Sequence, residues 1–146
     1  MKHLQTLEQY VSAWAEVSVH THRFGGHEFR FGNAEIGHLH TNGVLDIPFP
    51  RTVRDALLEE KLAEEHHWLP NSGWITYRIR SENELPRALW LMRLSYLRYA
   101  LKKAANANEM FEKETEQLRL SPRFKTLLKP FIPKSAKESP GLSVPA

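Results

Sequence analysis

The sequence predicts an α+β fold: an antiparallel β-sheet, made of a meander of about four strands plus one or two more, packed by an N-terminal helix, a short middle helix and a long C-terminal helix. Three turn dipeptides separate runs in which apolar and polar residues alternate, as in antiparallel strands: Gly25-Gly26, Gly32-Asn33 and Asn42-Gly43. Before and after this region, apolar residues recur every three or four positions, as in helices that bury one face. At 41% hydrophobic and 25% charged, the composition is that of a globular protein.

The N-terminal elements follow in order from these patterns. Residues 4–17 form the first predicted helix. Its apolar residues share one face: Leu4, Leu7, Val11 and Trp14. Four strands are predicted between Val17 and Phe49, and Pro48 ends the last one because proline cannot donate a ladder hydrogen bond.

The remaining elements are a helix, two strands and the longest helix, predicted at residues 52–62, 65–69, 74–79 and 83–105. One apolar stripe of the long helix either packs within the chain or forms a homodimer contact: Trp90, Leu94, Leu97 and Leu101. We predict one domain over residues 1–105, a helical C-terminal extension over 106–132 and a disordered tail over 133–146.

The charge distribution argues against a nucleic-acid-binding domain. The formal net charge is +3, but residues 101–146 hold nine Lys/Arg and five Asp/Glu, so the rest of the chain is nearly neutral. No segment has the roughly 20 apolar residues of a membrane span, and the N-terminus lacks the apolar core of a secretory signal. We therefore expect a cytoplasmic protein with a small-molecule ligand, no nucleic acid partner and no integral membrane segment.

The chain has eight histidines and no cysteine, which excludes thiol chemistry and thiolate metal sites. Six histidines form three local pairs: His20/His22, His38/His40 and His66/His67. Residues two apart on a strand project to the same face, so such a pair suits two ligands of one metal ion or a base and its neighbour. His38/His40 is the stronger pair because it ends a strand beside a turn, whereas His20/His22 more often has a structural role. Since His66 and His67 are adjacent, at most one joins a site.

Two carboxylates lie near His38 in the sequence. Glu35 is three residues earlier, and on a straight strand its side chain faces away from both histidines. Asp46 lies across the predicted turn and could orient an imidazole by accepting a hydrogen bond.

Three segments of the chain together resemble the luciferase-domain family, which includes fungal luciferases and many small bacterial proteins: residues 35–49, 63–70 and 72–80. In that family a Gly-His-x-His segment leads into an Asp/Asn-Gly turn. A helix, a Glu-x-His segment, a Tyr-Arg strand and a long helix then follow. The resemblance covers roughly residues 17–101.

The resemblance implies an activity and a set of residues. Fungal members oxidise a hydroxylated pyrone with molecular oxygen and need no flavin or nucleotide. By position, His38, His40 and His66 fall on the family's histidine segments and become the catalytic candidates, although His67 could take the place of His66. No cofactor is expected from the resemblance. The residues leave open a second interpretation, in which His38, His40, His66 and His67 are candidate ligands of a divalent metal ion. Because the chain is shorter than the light-emitting members and lacks their membrane-anchoring part, we do not expect light emission.

Two hypotheses follow. In the first, the chain is an oxygen-dependent oxidoreductase of the luciferase or monooxygenase type, acting on a small aromatic or lactone-like substrate through its histidine cluster. Three aromatic residues are the candidates for stacking on that substrate: Trp68, Trp74 and Tyr77. In the second, the chain is a non-catalytic module that binds a small molecule, a metal ion or a partner protein.

Overall fold

The computed structural model describes residues 2–22, 25–66 and 68–135. Within them the chain forms five α-helices and six strands, which confirms the predicted α+β class. The bounds are α1 Lys2–Ser12, β1 Val17–Thr21, β2 His27–Phe31, β3 Ala34–Leu39, β4 Val44–Pro48, α2 Arg51–Glu59, β5 Glu64–Glu65, β6 Trp74–Arg78, α3 Leu85–Lys103, α4 Ala107–Gln117 and α5 Pro122–Leu128.

The strands form one antiparallel sheet in the order β1-β2-β3-β4-β6-β5. Its first four strands are the predicted meander. At the turn between β3 and β4, the Gly43 N–H donates to the His40 carbonyl at 3.0 Å, and the Asn42 side chain accepts from the Val44 N–H at 3.2 Å. Gly43 has φ +90°, a conformation that favours glycine, as the Asn42-Gly43 signal predicts.

One face of the sheet carries a continuous row of polar side chains. Directly paired residues of neighbouring strands point to the same face. The pairing places one residue of every strand in this row, which reads His20, Glu28, His38, Asp46, Thr76 and Glu64 across the sheet.

The opposite face is apolar and packs on helices. Phe29, Leu45 and Ile75 on this face are fully buried. The ring of Phe31 lies edge-on to that of Tyr96 in α3, with centroids 5.4 Å apart. A β-carbon on Gly37 would lie 2.7 Å from the sulfur of Met92 in α3, so a larger residue there would displace the end of that side chain.

A β-bulge interrupts the pairing of β2 with β3. Phe29 pairs with Gly37, but the next residue, Arg30, pairs with Glu35, so Ile36 is an extra residue in β3. The extra residue reverses the alternation of side chains at this point. Glu35 therefore lies on the polar face with His38, and the expectation from a straight strand that Glu35 faces away is wrong.

Some predicted elements are shorter in the structure. The first helix ends at Ser12 rather than residue 17, and Val17 already begins β1. The strand predicted at 65–69 is only the two-residue β5. The long helix begins at Leu85, after a 3-10 turn at Glu82–Glu84.

The chain divides into two compact units, Met1–Tyr96 and Leu97–Ala146. The sheet lies in the first unit. In the second, Asn106 caps α4 and Ser121 caps α5, each by accepting a backbone N–H bond. Several apolar residues of this unit are buried: Phe111, Leu120, Phe124, Leu128 and Phe131.

Three further predictions concern the stripe on the long helix, the C-terminal tail and membrane-spanning segments. The stripe residues Leu94, Leu97 and Leu101 are buried within the single chain. Of the predicted tail, residues 136–146 lie outside the described residues. None of the helices in the described part is long and apolar enough to cross a bilayer.

Candidate functional site

The centre of the polar row is Asp46, whose side chain is only 1% exposed. It lies on β4 between its cross-strand partners His38 and Thr76. The Thr76 hydroxyl donates to Asp46 Oδ1 at 2.6 Å, which satisfies one carboxylate oxygen and orients the other.

Three imidazoles converge on this second oxygen, Asp46 Oδ2. The Nε2 atoms of His40, His38 and His66 lie 2.9, 3.3 and 3.6 Å from it. His38 and His40 come from one strand end, as the i, i+2 spacing predicts, whereas His66 follows β5 at the sheet edge. The structure therefore brings together all three histidines that the sequence analysis singled out as catalytic candidates.

The other side of the His38 ring faces Glu35. His38 Nδ1 donates to Glu35 Oε2 at 2.6 Å. Burial opposes the charged form of His38, but the hydrogen bonds to Asp46 and Glu35 outweigh it and raise the pKa of His38 to about 9. In the metal-free protein His38 is therefore positively charged at neutral pH.

The carboxyl of Asp46 is shifted in the opposite direction. Burial raises its pKa, but hydrogen bonds from His38, Thr76 and His40 favour the carboxylate more strongly and hold the pKa of Asp46 well below its usual range. Asp46 is thus a buried anion surrounded by donors, as buried carboxylates require.

His66 has a different hydrogen-bonding pattern from His38. Its Nδ1 accepts the backbone N–H groups of Trp68 at 3.1 Å and Leu69 at 3.2 Å. An accepting Nδ1 places the proton of a neutral imidazole on Nε2, the atom that faces Asp46. His66 therefore presents an N–H to the carboxylate and fixes the start of the loop that follows it.

His22 joins the cluster, although the sequence analysis favoured a structural role for its pair. Its ring stacks on that of His38, with centroids 4.3 Å apart and planes 23° apart. The His22 N–H donates to the carbonyl of Gly26 at 3.0 Å, and Gly26 lies so close to the end of β3 that a β-carbon there would be 2.8 Å from the His40 Cα. Burial and the neighbouring His38 charge lower the pKa of His22. Its partner His20 hydrogen-bonds the exposed Ser18 hydroxyl at 2.8 Å.

The cluster forms the floor of a pocket of about 380 Å³. The other lining residues are Trp68, Leu69 and Trp74. The Trp74 ring lies 5.4 Å from that of His38 and 6.0 Å from that of His66, which makes it a wall of the pocket. Trp68 is 72% exposed and Leu69 49% exposed, so both stand at the pocket mouth.

The remaining predicted residues lie elsewhere. Tyr77 is three residues from Trp74 on β6 and so belongs to the opposite face, where it lines a separate pocket with Leu58 and Lys61. Burial raises its pKa. His67 lies outside the described residues.

Two kinds of chemistry fit this arrangement. Imidazoles beside a buried carboxylate can take up and return protons. In addition, ligand atoms of His38, His40 and Asp46 lie within 4.8 Å of one another and could hold a metal ion.

One comparison with known proteins covers the residues of this site. Neither the curated proteins nor the solved structures contain a significant match to the chain. The family model of the luciferase domain matches residues 33–95, a range that includes His38, His40, Asp46 and His66. Together with the buried histidine–aspartate group, the match fits a luciferase-like protein. Residues 33–95 thus match the luciferase domain, which confirms the family resemblance predicted from the motifs around His38 and His66.

Proposed function

We propose that this protein is a small oxidative enzyme that adds dioxygen to a planar, hydroxylated aromatic or lactone-like molecule. One observation carries the proposal: three imidazoles surround one buried carboxylate at the floor of a pocket with tryptophans on its wall and at its mouth. The luciferase-domain match supports oxygen as the oxidant.

The size and lining of the pocket support a flat substrate. A volume of about 380 Å³ lies within the usual range for small-molecule sites, roughly 300–1,000 Å³. Trp74 and Trp68 offer aromatic surfaces, while the polar atoms are concentrated at the floor. A ring bound between them would turn its hydroxyl towards His38, His40 and Asp46.

The proposed reaction balances without a further reactant. A histidine of the cluster takes the proton from the substrate hydroxyl, and the resulting ring anion gives one electron to dioxygen. The ring radical and superoxide combine and form one carbon–oxygen bond. The proton then returns to the terminal oxygen, so the product is a hydroperoxide that contains all atoms of both reactants.

Oxygen uptake with defined probes tests the proposal. We expect the untagged protein to consume oxygen with 4-hydroxy-6-methyl-2-pyrone or 4-hydroxycoumarin, and ¹⁸O₂ to deliver both atoms to the product. His40→Ala should reduce turnover by about 10²–10⁴-fold, the contribution of a positioned acid or base. His20→Ala is the matched control, since it removes an imidazole from the same polar row without touching the cluster.

Two results would contradict the proposed enzymatic activity. One is equal turnover in His40→Ala and the unaltered protein, provided that circular dichroism shows both folded. The other is saturable binding of the probes with no oxygen uptake.

The second result would favour the alternative of a non-catalytic module that binds a small molecule or a metal ion. The grouping of His38, His40 and Asp46 ligand atoms is the observation that supports it. A cytoplasmic location and a homodimer stay predictions of the sequence, to be tested by fractionation and by light scattering.

A further inference from the structure

We propose that His38 Nε2, His40 Nε2 and Asp46 Oδ2 form a three-ligand site for one divalent first-row transition-metal ion, with its remaining positions open to the pocket. The assignment deepens the proposed oxidative function and goes beyond it, because a ligand set and a class of metal are named. The spacing of the ligand atoms, the hydrogen bonds of His38 and His66 and the chemical types of the ligands support this site.

The spacing of the ligand atoms suits a single metal ion. Nitrogen and oxygen ligands lie about 2.0–2.2 Å from such an ion, so neighbouring ligands are about 3.0–3.4 Å apart in octahedral or tetrahedral geometry. The Asp46 oxygen lies 2.9 Å from His40 Nε2 and 3.3 Å from His38 Nε2. Ligand atoms of all three residues lie within 4.8 Å of one another, so small adjustments of the side chains would let them share one ion.

The hydrogen bonding of His38 is that of a metal-binding histidine. Its Nδ1–H is donated to Glu35, so a neutral ring has its lone pair on Nε2, facing the carboxylate oxygen of Asp46. In the metal-free protein a proton on Nε2 lies between these two atoms, and a metal ion would take the place of that proton. A carboxylate that accepts from the other ring nitrogen is the usual support of a metal-binding histidine.

The same reasoning leaves His66 out of the ligand set. Its Nδ1 is occupied by two backbone N–H groups, so its Nε2 carries a proton and has no lone pair for a metal. His66 instead places an N–H beside the liganding oxygen of Asp46 and is a positioning residue.

The ligand types indicate the class of ion. Two imidazoles with one carboxylate suit Mn²⁺, Fe²⁺, Co²⁺ or Zn²⁺ and disfavour Mg²⁺ and Ca²⁺, which prefer oxygen ligands alone. A set of two histidines and one carboxylate with open positions is also the arrangement that non-haem iron oxygenases use, which agrees with an oxidative role. When bound, such an ion would lower the pKa of a coordinated hydroxyl.

Cobalt binding provides the test, because Co²⁺ has visible absorption and can be followed without substrate. The untagged, chelator-treated protein is titrated with Co²⁺, and bound metal is counted by elemental analysis after dialysis. We expect one ion per chain. His38→Ala, His40→Ala and Asp46→Asn should each abolish the bands, whereas His20→Ala should leave them unchanged.

His66→Ala and Glu35→Gln separate ligands from supporting residues. Each should keep one Co²⁺ per chain with about 10–100-fold weaker binding, as expected when a supporting hydrogen bond is lost. Binding of far less than one ion by the unaltered protein would overturn the assignment. So would retention of the bands in both folded His38→Ala and folded His40→Ala. Because this experiment does not measure oxygen uptake, its result can contradict the metal site without contradicting the proposed oxidative function. In the same way, the oxygen-uptake experiment can contradict the oxidative function without contradicting the metal site.

Discussion

His38 and Glu35 form a 2.6 Å hydrogen bond between two side chains that alternation on a regular strand would place on opposite faces of the sheet. The bulge at Ile36 brings them together. Since this bond helps to raise the pKa of His38, the electrostatics of the site depend on a local irregularity of the backbone.

Glu35→Gln should lower the pKa of His38 from its value of about 9, because a neutral amide stabilises the imidazolium less than a carboxylate does. NMR titration of the ring protons in chelator-treated protein measures it. Glu28→Gln is the matched control: Glu28 is the direct cross-strand partner of His38, but its carboxylate pairs with Arg30. Equal shifts in the two variants would contradict the specific role of Glu35.

The stability of the metal-free protein should fall as the pH rises from about 6.5 through 9. The folded-state pKa of His38 lies above its unfolded value of 6.5, so its stabilising contribution is complete below pH 6.5 and is lost on passing 9. A shift from 6.5 to about 9 corresponds to at most about 3 kcal/mol. Urea unfolding at pH 6 and pH 9.5 measures the difference, and His38→Ala should largely remove it.

Acid should destabilise the protein through Asp46. Its folded pKa is held below the unfolded value, so its contribution is present above the ordinary carboxyl range and is lost as the pH falls through that range and below it. Thr76→Val should weaken this dependence, because it removes the hydroxyl that donates to Oδ1 and leaves a buried acceptor unpaired. We expect a loss of about 1–3 kcal/mol at pH 7 in urea unfolding. An unchanged midpoint would contradict the role of this bond.

Gly37→Ala should destabilise the fold, because the added methyl group would lie 2.7 Å from the sulfur of Met92. Since the clash is with the end of a flexible side chain, the cost should lie at the lower end of the range of about 1–3 kcal/mol for overpacking. A double-mutant cycle with Met92→Ala identifies the cause: the two substitutions should be less costly together than the sum of the single costs. Strict additivity would show that the contact with α3 is not responsible.

The two pocket tryptophans should differ in their effects. Trp68 is 72% exposed, so Trp68→Ala should change the free energy of unfolding by less than about 0.5 kcal/mol. Trp74 packs between His38 and His66, so Trp74→Ala should cost more stability. Both substitutions should weaken binding of 4-hydroxycoumarin, measured by calorimetry. A destabilised Trp68→Ala would mean that this side chain supports the fold rather than the ligand.

Much of the sheet and the core of the site could be predicted from local patterns. The turn dipeptides correctly separate the first four strands, and the i, i+2 spacing correctly places His38 and His40 together. Alternation also separates Trp74 from Tyr77, since three residues on a strand reverse the face.

Other parts of the site depend on pairings that local patterns do not contain. The bulge that turns Glu35 towards His38 arises between two strands, so no single segment reveals it. His22 joins the cluster by stacking on His38, a residue of another strand, so its own segment does not reveal the contact. The tautomer of His66 is set by backbone groups two and three residues later, whose direction depends on the loop.

Because of the extra residue in β3, the proton affinity of His38 depends on the number of residues in the paired strands and not only on the identity of the side chains around it. Inserting one residue between Phe29 and Arg30 would give Ile36 a pairing partner, restore a regular ladder and turn Glu35 to the helix-facing side, while the pairings of Gly37 and His38 persist. The length of one backbone segment, with no change of any functional side chain, would then set the proton affinity of an imidazole. Related chains that keep His38, His40 and Asp46 could thus differ in chemistry through a single insertion or deletion.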